Sequence, residues 1–328
     1  MLLLEKQIGA NRSTYLSITL QDATGTIDAK LWNATNEQVE KLVMGCVVQV
    51  KGDVIKYNED RQMKIIKIVV ASTEPQEQVK FLKSAPQTGE ELVKEIYTFI
   101  ERINNLKLNQ LVKALFNEHV KKLTIYPAAS KNHHEYVSGL AYHTCSMLRI
   151  ADALARLYPS LNRDLLFAGI TLHDLGKTVE LSGPVVPEYT IEGKLLGHIS
   201  ISQAMIKEMA DKMNIEGEEV TLLQHIILSH HGKNEFGSPI LPQIKEAEVI
   251  YLIDNMDARI NMLDKALETV EPGGFSKRVF ALENRMIYKP KCMIKNSGLM
   301  PLFLIMFINL KTISFVWSDA FLQFCSNA

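Results

Sequence analysis

Seven side chains constrain this chain more than anything else in it: His143, His173, Asp174, His198, His230, His231 and Asp254. Each stands on an apolar stretch of helical period or at the end of one. "GLAYHTCSMLRIADALARLYP" carries His143, and "NRDLLFAGITLHDLGK" closes on His173 and Asp174. "GHISISQAMIKEMADKMN" opens with His198, "GEEVTLLQHIILSHHG" closes on His230 and His231, and "YLIDNMDAR" encloses Asp254. An unpartnered carboxylate is very costly to bury, and a cation is one partner that removes the cost. Each residue alone has a plain structural alternative: a satisfied core histidine or, for "HDLGK" and "SHHG", a helix end with a Gly cap. Together, nitrogen and oxygen ligands without sulfur predict a helical domain around a pair of first-row divalent ions, not a thiolate zinc site. Bridging two ions takes a carboxylate, and Asp174 is the natural bridge.

The chain ahead of these helices has a different period. "YLSITLQD" alternates, with Leu16, Ile18 and Leu20 on one face, and "GTIDAKLW" follows a "DATG" turn, so the pair reads as a hairpin. "CVVQVKGDVIKY" and "QMKIIKIVV" are two more strand-like runs, with a short helix, "NEQVEKLV", between the pairs. Short strands with an interposed helix predict a small OB-like barrel. "GEELVKEIYTFIERI" then starts the helices. The expected organisation is an α+β multidomain chain: a barrel at 1–72, a linker or wrapping segment at 73–88, a helical bundle at 89–290, and an atypical apolar tail at 291–328.

Composition narrows the partners. A formal net charge of -1 excludes a strongly basic protein that holds nucleic acid by charge alone, and leaves room for a local basic groove. Cys46, Cys145, Cys292 and Cys325 show no CxxC spacing, so neither a zinc knuckle nor a disulfide framework is expected, and a reducing cytoplasm is the expected compartment. "MLLLEKQIG" is too short an apolar run for a signal peptide. "LMPLFLIMFINL" contains Pro301 and falls short of the roughly 20 residues a spanning helix needs. It is expected to be a buried or interfacial segment, or a tail outside the fold, and no membrane partner is expected.

"GLAYHT", "HDLGK" and "ILSHHG" give the region from about Gly89 to Tyr288 its resemblance to the HD-domain phosphohydrolases. The family's order H…HD…D is met by His143, His173–Asp174 and Asp254, and His198, His230 and His231 resemble the versions that hold a two-metal centre. Over roughly residues 1–290, with the barrel in front, the chain resembles the YhaM family of 3′–5′ exoribonucleases of Gram-positive bacteria. "LQDATGTIDAKLW", "HHEYVSGLAYHT", "SHHGKNEFGSP" and "GGFSKRVFALENRMIYKP" carry that likeness. The chain departs from the family at both ends. It starts at or near the first barrel strand, so a leading segment is expected to be missing. The pattern stops after Pro290, as a shifted reading frame or truncated gene model would cause.

The resemblance implies hydrolysis of single-stranded RNA from its 3′ end, with single-stranded DNA as a further substrate. Two divalent ions are expected, manganese first and cobalt or iron as alternatives. The first is assigned to His143, His173, Asp174 and Asp254, the second to Asp174, His198, His230 and His231. Asp174 and Lys177 are the catalytic candidates. Lys177 is expected to contact the scissile phosphate, against a plain reading as a solvated helix-end cation. His134 and Asp257 are expected to orient a ligand or the water from behind, and His225 to sit in the core or behind the ligands. The barrel would grip the strand through Trp32, Tyr57, Lys30, Lys51, Lys56, Arg61 and Lys64, although Trp32 fits barrel core equally well. "EFGSPILP" would shape the substrate entrance or merely connect two helices. A homo-oligomer is left open. Two rival functions remain at this stage: a phosphohydrolase of free or cyclic nucleotides, and a nucleic-acid-binding protein with a structural HD domain.

Overall fold

The computed structural model describes residues 2–8, 14–57, 60–128, 136–185 and 187–291. The expected tail from residue 292 on, with Cys292 and Cys325, the Tyr57 side chain and His134 lie outside the described residues.

The alternating segment folds as a sheet of five strands: β1 (Leu2–Ile8), β2 (Thr14–Asp22), β3 (Gly25–Trp32), β4 (Val47–Tyr57) and β5 (Asp60–Ser72). Their order is β1-β2-β3-β5-β4, antiparallel except where β3 runs parallel to β5. Helix α1 (Asn36–Lys41) bridges β3 and β4. This is the expected OB-fold arrangement. The β2–β3 turn is built by Asp22, whose Oδ1 accepts from the backbone of Thr24 at 2.8 Å and of Gly25 at 3.2 Å. Strand alternation sends Leu16, Ile18, Ala29 and Leu31 into one small core, and a register shift that skips Ile66 in β5 brings both Ile65 and Ile68 to the same side.

After α2 (Pro75–Val79), the segment expected to link the two parts ends on the helical part: the Val137 N–H donates to Lys83 O at 3.0 Å, and the Ala85 N–H to Val137 O at 3.0 Å. The helices are α3 (Gly89–Ile100), α4 (Leu106–Leu123), α5 (Gly139–Leu157), α6 (Arg163–Leu172), α7 (Lys177–Glu180), α8 (Ile191–Lys212), α9 (Glu218–Ser229) and α10 (Lys245–Leu267). Helix α6 is the hub. It packs on α4, α5, α9 and α10, and every residue from Leu165 to Leu172 is buried. Its start is fixed by Asn162, whose side chain caps Asp164 N and Leu165 N while its own N–H donates to Glu246 of α10 at 2.7 Å. Large rings such as Phe116 and Phe167 are fully buried, each contributing roughly 1.5–3 kcal/mol by leaving water. Cys46 and Cys145 are free and buried. Among the described residues, no helix is long and apolar enough to cross a membrane.

Candidate metal centre

Five helices bring the ligand candidates to one place. His143 lies in α5, His173 caps the end of α6 and Asp174 follows it. His230 caps the end of α9, with His231 next, and Asp254 lies in α10. His198 opens the second section of α8; a first section begins about two turns earlier, at Ile191, and breaks at Gly197, whose φ of 70° suits glycine. The break lets the His198 N–H donate to Glu180 Oε1 at 3.0 Å, so the second section of the helix is capped from α7. Gly176 also serves otherwise than a terminal-cap reading of "HDLGK" suggests. Its φ is an ordinary -59°. It is glycine because a Cβ would lie 2.3 Å from His198 O, in the tight seam between α7 and α8.

All five imidazoles are turned the same way. Nδ1 of His173 donates to Ile170 O at 2.8 Å, of His230 to Ile227 O at 2.7 Å, and of His231 to Phe236 O at 2.7 Å. Nδ1 of His143 donates to Asp257 Oδ2 at 2.7 Å, and of His198 to Glu180 Oε1 at 3.1 Å. Carbonyl and carboxylate oxygens only accept here, so each Nδ1 carries the proton and each Nε2 presents its remaining valence to the cluster.

The Asp174 carboxylate stands between two sets of these nitrogens. Its Oδ2 is 3.2 Å from His173 Nε2 and 4.0 Å from His143 Nε2. Its Oδ1 is 3.4 Å from His198 Nε2 and 3.8 Å from His230 Nε2. Ligand atoms of Asp174, His198, His230 and His231 all lie within 4.8 Å of one another, as do those of His143, His173 and Asp174. Asp254 belongs to neither compact set; its Oδ1 meets His143 Nε2 at 3.1 Å. Asp174 Oδ1, His198 Nε2 and His230 Nε2 are buried without a hydrogen-bond partner. Three converging orphan acceptors are costly unless a cation lies among them, and nitrogen and oxygen donors of this kind suit a first-row divalent ion.

Electrostatics agree with that reading. Burial opposes ionisation of Asp174, but Lys177 and His173 outweigh it and hold the carboxyl well below its usual range. Burial, with neighbouring His231 and His173, keeps His230 well below an ordinary imidazole, so it stays neutral. His231 is likewise held down by burial. His143 goes the other way: burial pushes it down, but Asp254 and Asp257 raise it to about 10. Asp254 is depressed by His143 despite its burial.

Lys177 is not a solvated cation. It is buried, its Nζ lies 2.7 Å from Asp174 Oδ2, and Asp174 holds its pKa up against burial. Asp257 accepts from His143 Nδ1 and from Ser146 Oγ. Glu180 escaped the sequence reading. It stands three residues past Lys177, between Val179 and Leu181, and nothing in the sequence ties it to His198. His225 is away from the cluster and accepts from Gln243 N at 2.9 Å. A cleft of about 970 Å³ opens from the cluster, lined by Asp174, Lys177, His198, His231 and Asp254 together with residues of its mouth.

The barrel candidates divide. Trp32 is 46% exposed, which removes the barrel-core alternative. It packs on Tyr15 across the hairpin, ring centroids 4.8 Å apart, and Lys30 Nζ lies 5.2 Å from the Tyr15 ring. Lys64 pairs with Lys30 across β3–β5 on this outer face. Lys51 is exposed opposite Lys67. Lys56 and Arg61 oppose each other near the end of the β4–β5 hairpin, in register with buried Ile65, so alternation points them away from Trp32. Tyr15 was not singled out, although alternation against Leu16 and Ile18 already placed it outside.

These two modules define a class: a strand-binding barrel joined to an HD-type hydrolytic bundle. A family model described as "HD domain" matches residues 140–259, and one described as "OB-fold nucleic acid binding domain" matches residues 4–71. An HD domain implies divalent metal binding, in keeping with the cluster. The protein named 3'-5' exoribonuclease YhaM of Geobacillus sp. (strain WCH70) is 49% identical over 286 residues, covering 87% of this chain and 88% of that protein. The chain belongs to the YhaM family. No solved structure matches it.

Proposed function

We propose that this protein is a metal-dependent exoribonuclease that shortens single-stranded RNA from its 3′ end, with single-stranded DNA as a secondary substrate. One observation carries the reading: the two oxygens of Asp174 face two separate sets of imidazole Nε2 atoms in one buried cluster. The close relative's name supports the substrate and the polarity.

His143, His173, Asp174 and Asp254 hold one divalent ion in this reading, and Asp174, His198, His230 and His231 a second. Manganese is the metal proposed, with cobalt and iron as alternatives; the Irving–Williams order and cellular supply decide among them as much as this donor set does. Bound there, the ions supply Lewis-acid stabilisation of the phosphate and activation of water at neutral pH. The protein supplies the rest. Ile170, Ile227 and Phe236 carbonyls, Asp257 and Glu180 fix the five ring orientations. Lys177, held against Asp174 in the cleft wall, contacts the scissile phosphate and neutralises charge that develops on it. The outer face of the barrel, with Trp32, Tyr15, Lys30 and Lys64, grips the strand by stacking and backbone attraction. The working division is 1–72 for grip and 89–290 for hydrolysis. The reaction is placed in the cytoplasm, and a homo-oligomer is compatible with it.

The test is single-stranded RNA labelled at its 5′ end, incubated with protein and manganese, with a chelator control. A metal-dependent ladder shortening from the 3′ end is expected. Intact RNA with manganese bound would overturn the exonuclease reading in favour of a small-nucleotide phosphohydrolase.

A further inference from the structure

Besides half-buried Tyr251, three aromatic side chains that the chemistry above does not use line the same cleft as Asp174 and Lys177: Tyr189, Phe236 and Phe280. They are 47%, 49% and 91% exposed, whereas Asp174 and Lys177 are buried. The acid–imidazole cluster is therefore the floor, and the rings are the rim. They arrive on three unrelated segments. Tyr189 lies just ahead of α8, its backbone bridged to Leu181. Phe236 lies in the turn after α9, and its carbonyl accepts the proton of His231 Nδ1, so ring and ligand share one rigid turn. Phe280 stands near the tip of a hairpin whose backbone pairs Gly273 with Lys289, Ser276 with Ile287 and Val279 with Arg285.

That tip is anchored. Leu282 is fully buried, and Glu283 accepts from both terminal nitrogens of Arg259 at 2.7 and 2.9 Å. Arg259 is on α10, the helix that carries Asp254. A ring so exposed on so fixed a support offers a preformed flat apolar face. Every nucleobase has a π-face, so such a surface binds single strands without regard to sequence.

We propose that Phe280, flanked by Phe236 and Tyr189, is a stacking platform for the bases at the 3′ end of the strand, and that it holds the terminal phosphodiester over Asp174 and Lys177. The proposal rests on the exoribonuclease reading and adds the residues that hold the bases irrespective of their identity.

The test compares wild type, Phe280→Ala and Phe280→Trp on RNA and on the same RNA with its last two 3′ nucleotides abasic. Phe280→Ala raises KM for intact RNA roughly ten-fold with kcat unchanged, and Phe280→Trp restores it. On abasic RNA the variants match wild type. An equal loss on both substrates, an unchanged KM, or an altered sedimentation coefficient in Phe280→Ala overturns the proposal, the last by placing the ring in a subunit contact. Calorimetry with adenosine 5′-monophosphate and ribose 5-phosphate separates this from the parent reading. If wild type fails to shorten RNA yet prefers the nucleotide, and Phe280→Ala loses that preference, the exonuclease reading fails and the platform stands. Equal binding of both ligands by wild type overturns the platform.

Discussion

The helical cluster and the outer face of the barrel are both built from polar and aromatic side chains, yet the fold treats them differently. In the cluster every imidazole is oriented by a hydrogen bond at Nδ1, and three acceptors are buried without a partner. On the barrel, Trp32 and Lys64 are exposed, and packing of Trp32 on Tyr15 is the main constraint there. Burial makes a polar arrangement expensive unless it is complete, so the cluster is specified atom by atom. A solvated face has no such cost, and its residues can act one at a time. The cluster should therefore fail as a unit and the barrel by degrees.

The largest effect is expected from Asp174→Ala, which removes the one group shared by both sets of nitrogens. Hydrolysis falls below detection while circular dichroism stays that of wild type. Full activity in this variant would erase the distinction between the two regions. Next comes Glu180→Ala. It touches no substrate but frees His198 Nδ1, and it is expected to lower manganese affinity or turnover by roughly 10- to 100-fold, read by metal titration of the rate. Trp32→Ala should weaken binding of long RNA only about ten-fold, the worth of one stacked base, and leave turnover at saturation intact. A complete loss of activity there would show that the barrel too acts as a unit.

The remaining expected effect is a pH dependence of metal uptake, about ten-fold or less over any one pH unit. Asp254 and Asp257 hold His143 at about 10 in the metal-free protein, so at neutral pH this ring is protonated. A ligand Nε2 must lose its proton to bind metal. Below that pKa, affinity through this residue therefore rises by about ten-fold per pH unit and levels off above it. Calorimetry in buffers of different ionisation enthalpy should report close to one proton released per chain at pH 7.

The difference between the regions also explains what the sequence disclosed. The seven ligand candidates were legible because each put a polar group into an apolar helical run, and burial leaves few reasons for that. The strand alternation of Leu16, Ile18 and Leu20 gave the barrel for the same reason. Glu180 was hidden because its role depends on where α7 meets the Gly197 break in α8, a tertiary contact with no local signature. The early start of α8 was hidden too: Ile191, Leu195 and Leu196 are exposed, so they lack the one-sided apolar stripe of a packed helix. Gly176 was readable as a cap until the seam with His198 gave a different cause for it. The cations were least legible. Only strand register separates Lys30 and Lys64, beside Trp32, from Lys56 and Arg61.

Sharing of Asp174 by two ions is read out by metal analysis of protein dialysed against manganese, wild type beside His230→Ala. Two manganese ions per chain are expected in wild type and one in the variant, because His143, His173 and Asp254 are untouched by the substitution. One ion in wild type, or none, would contradict the sharing.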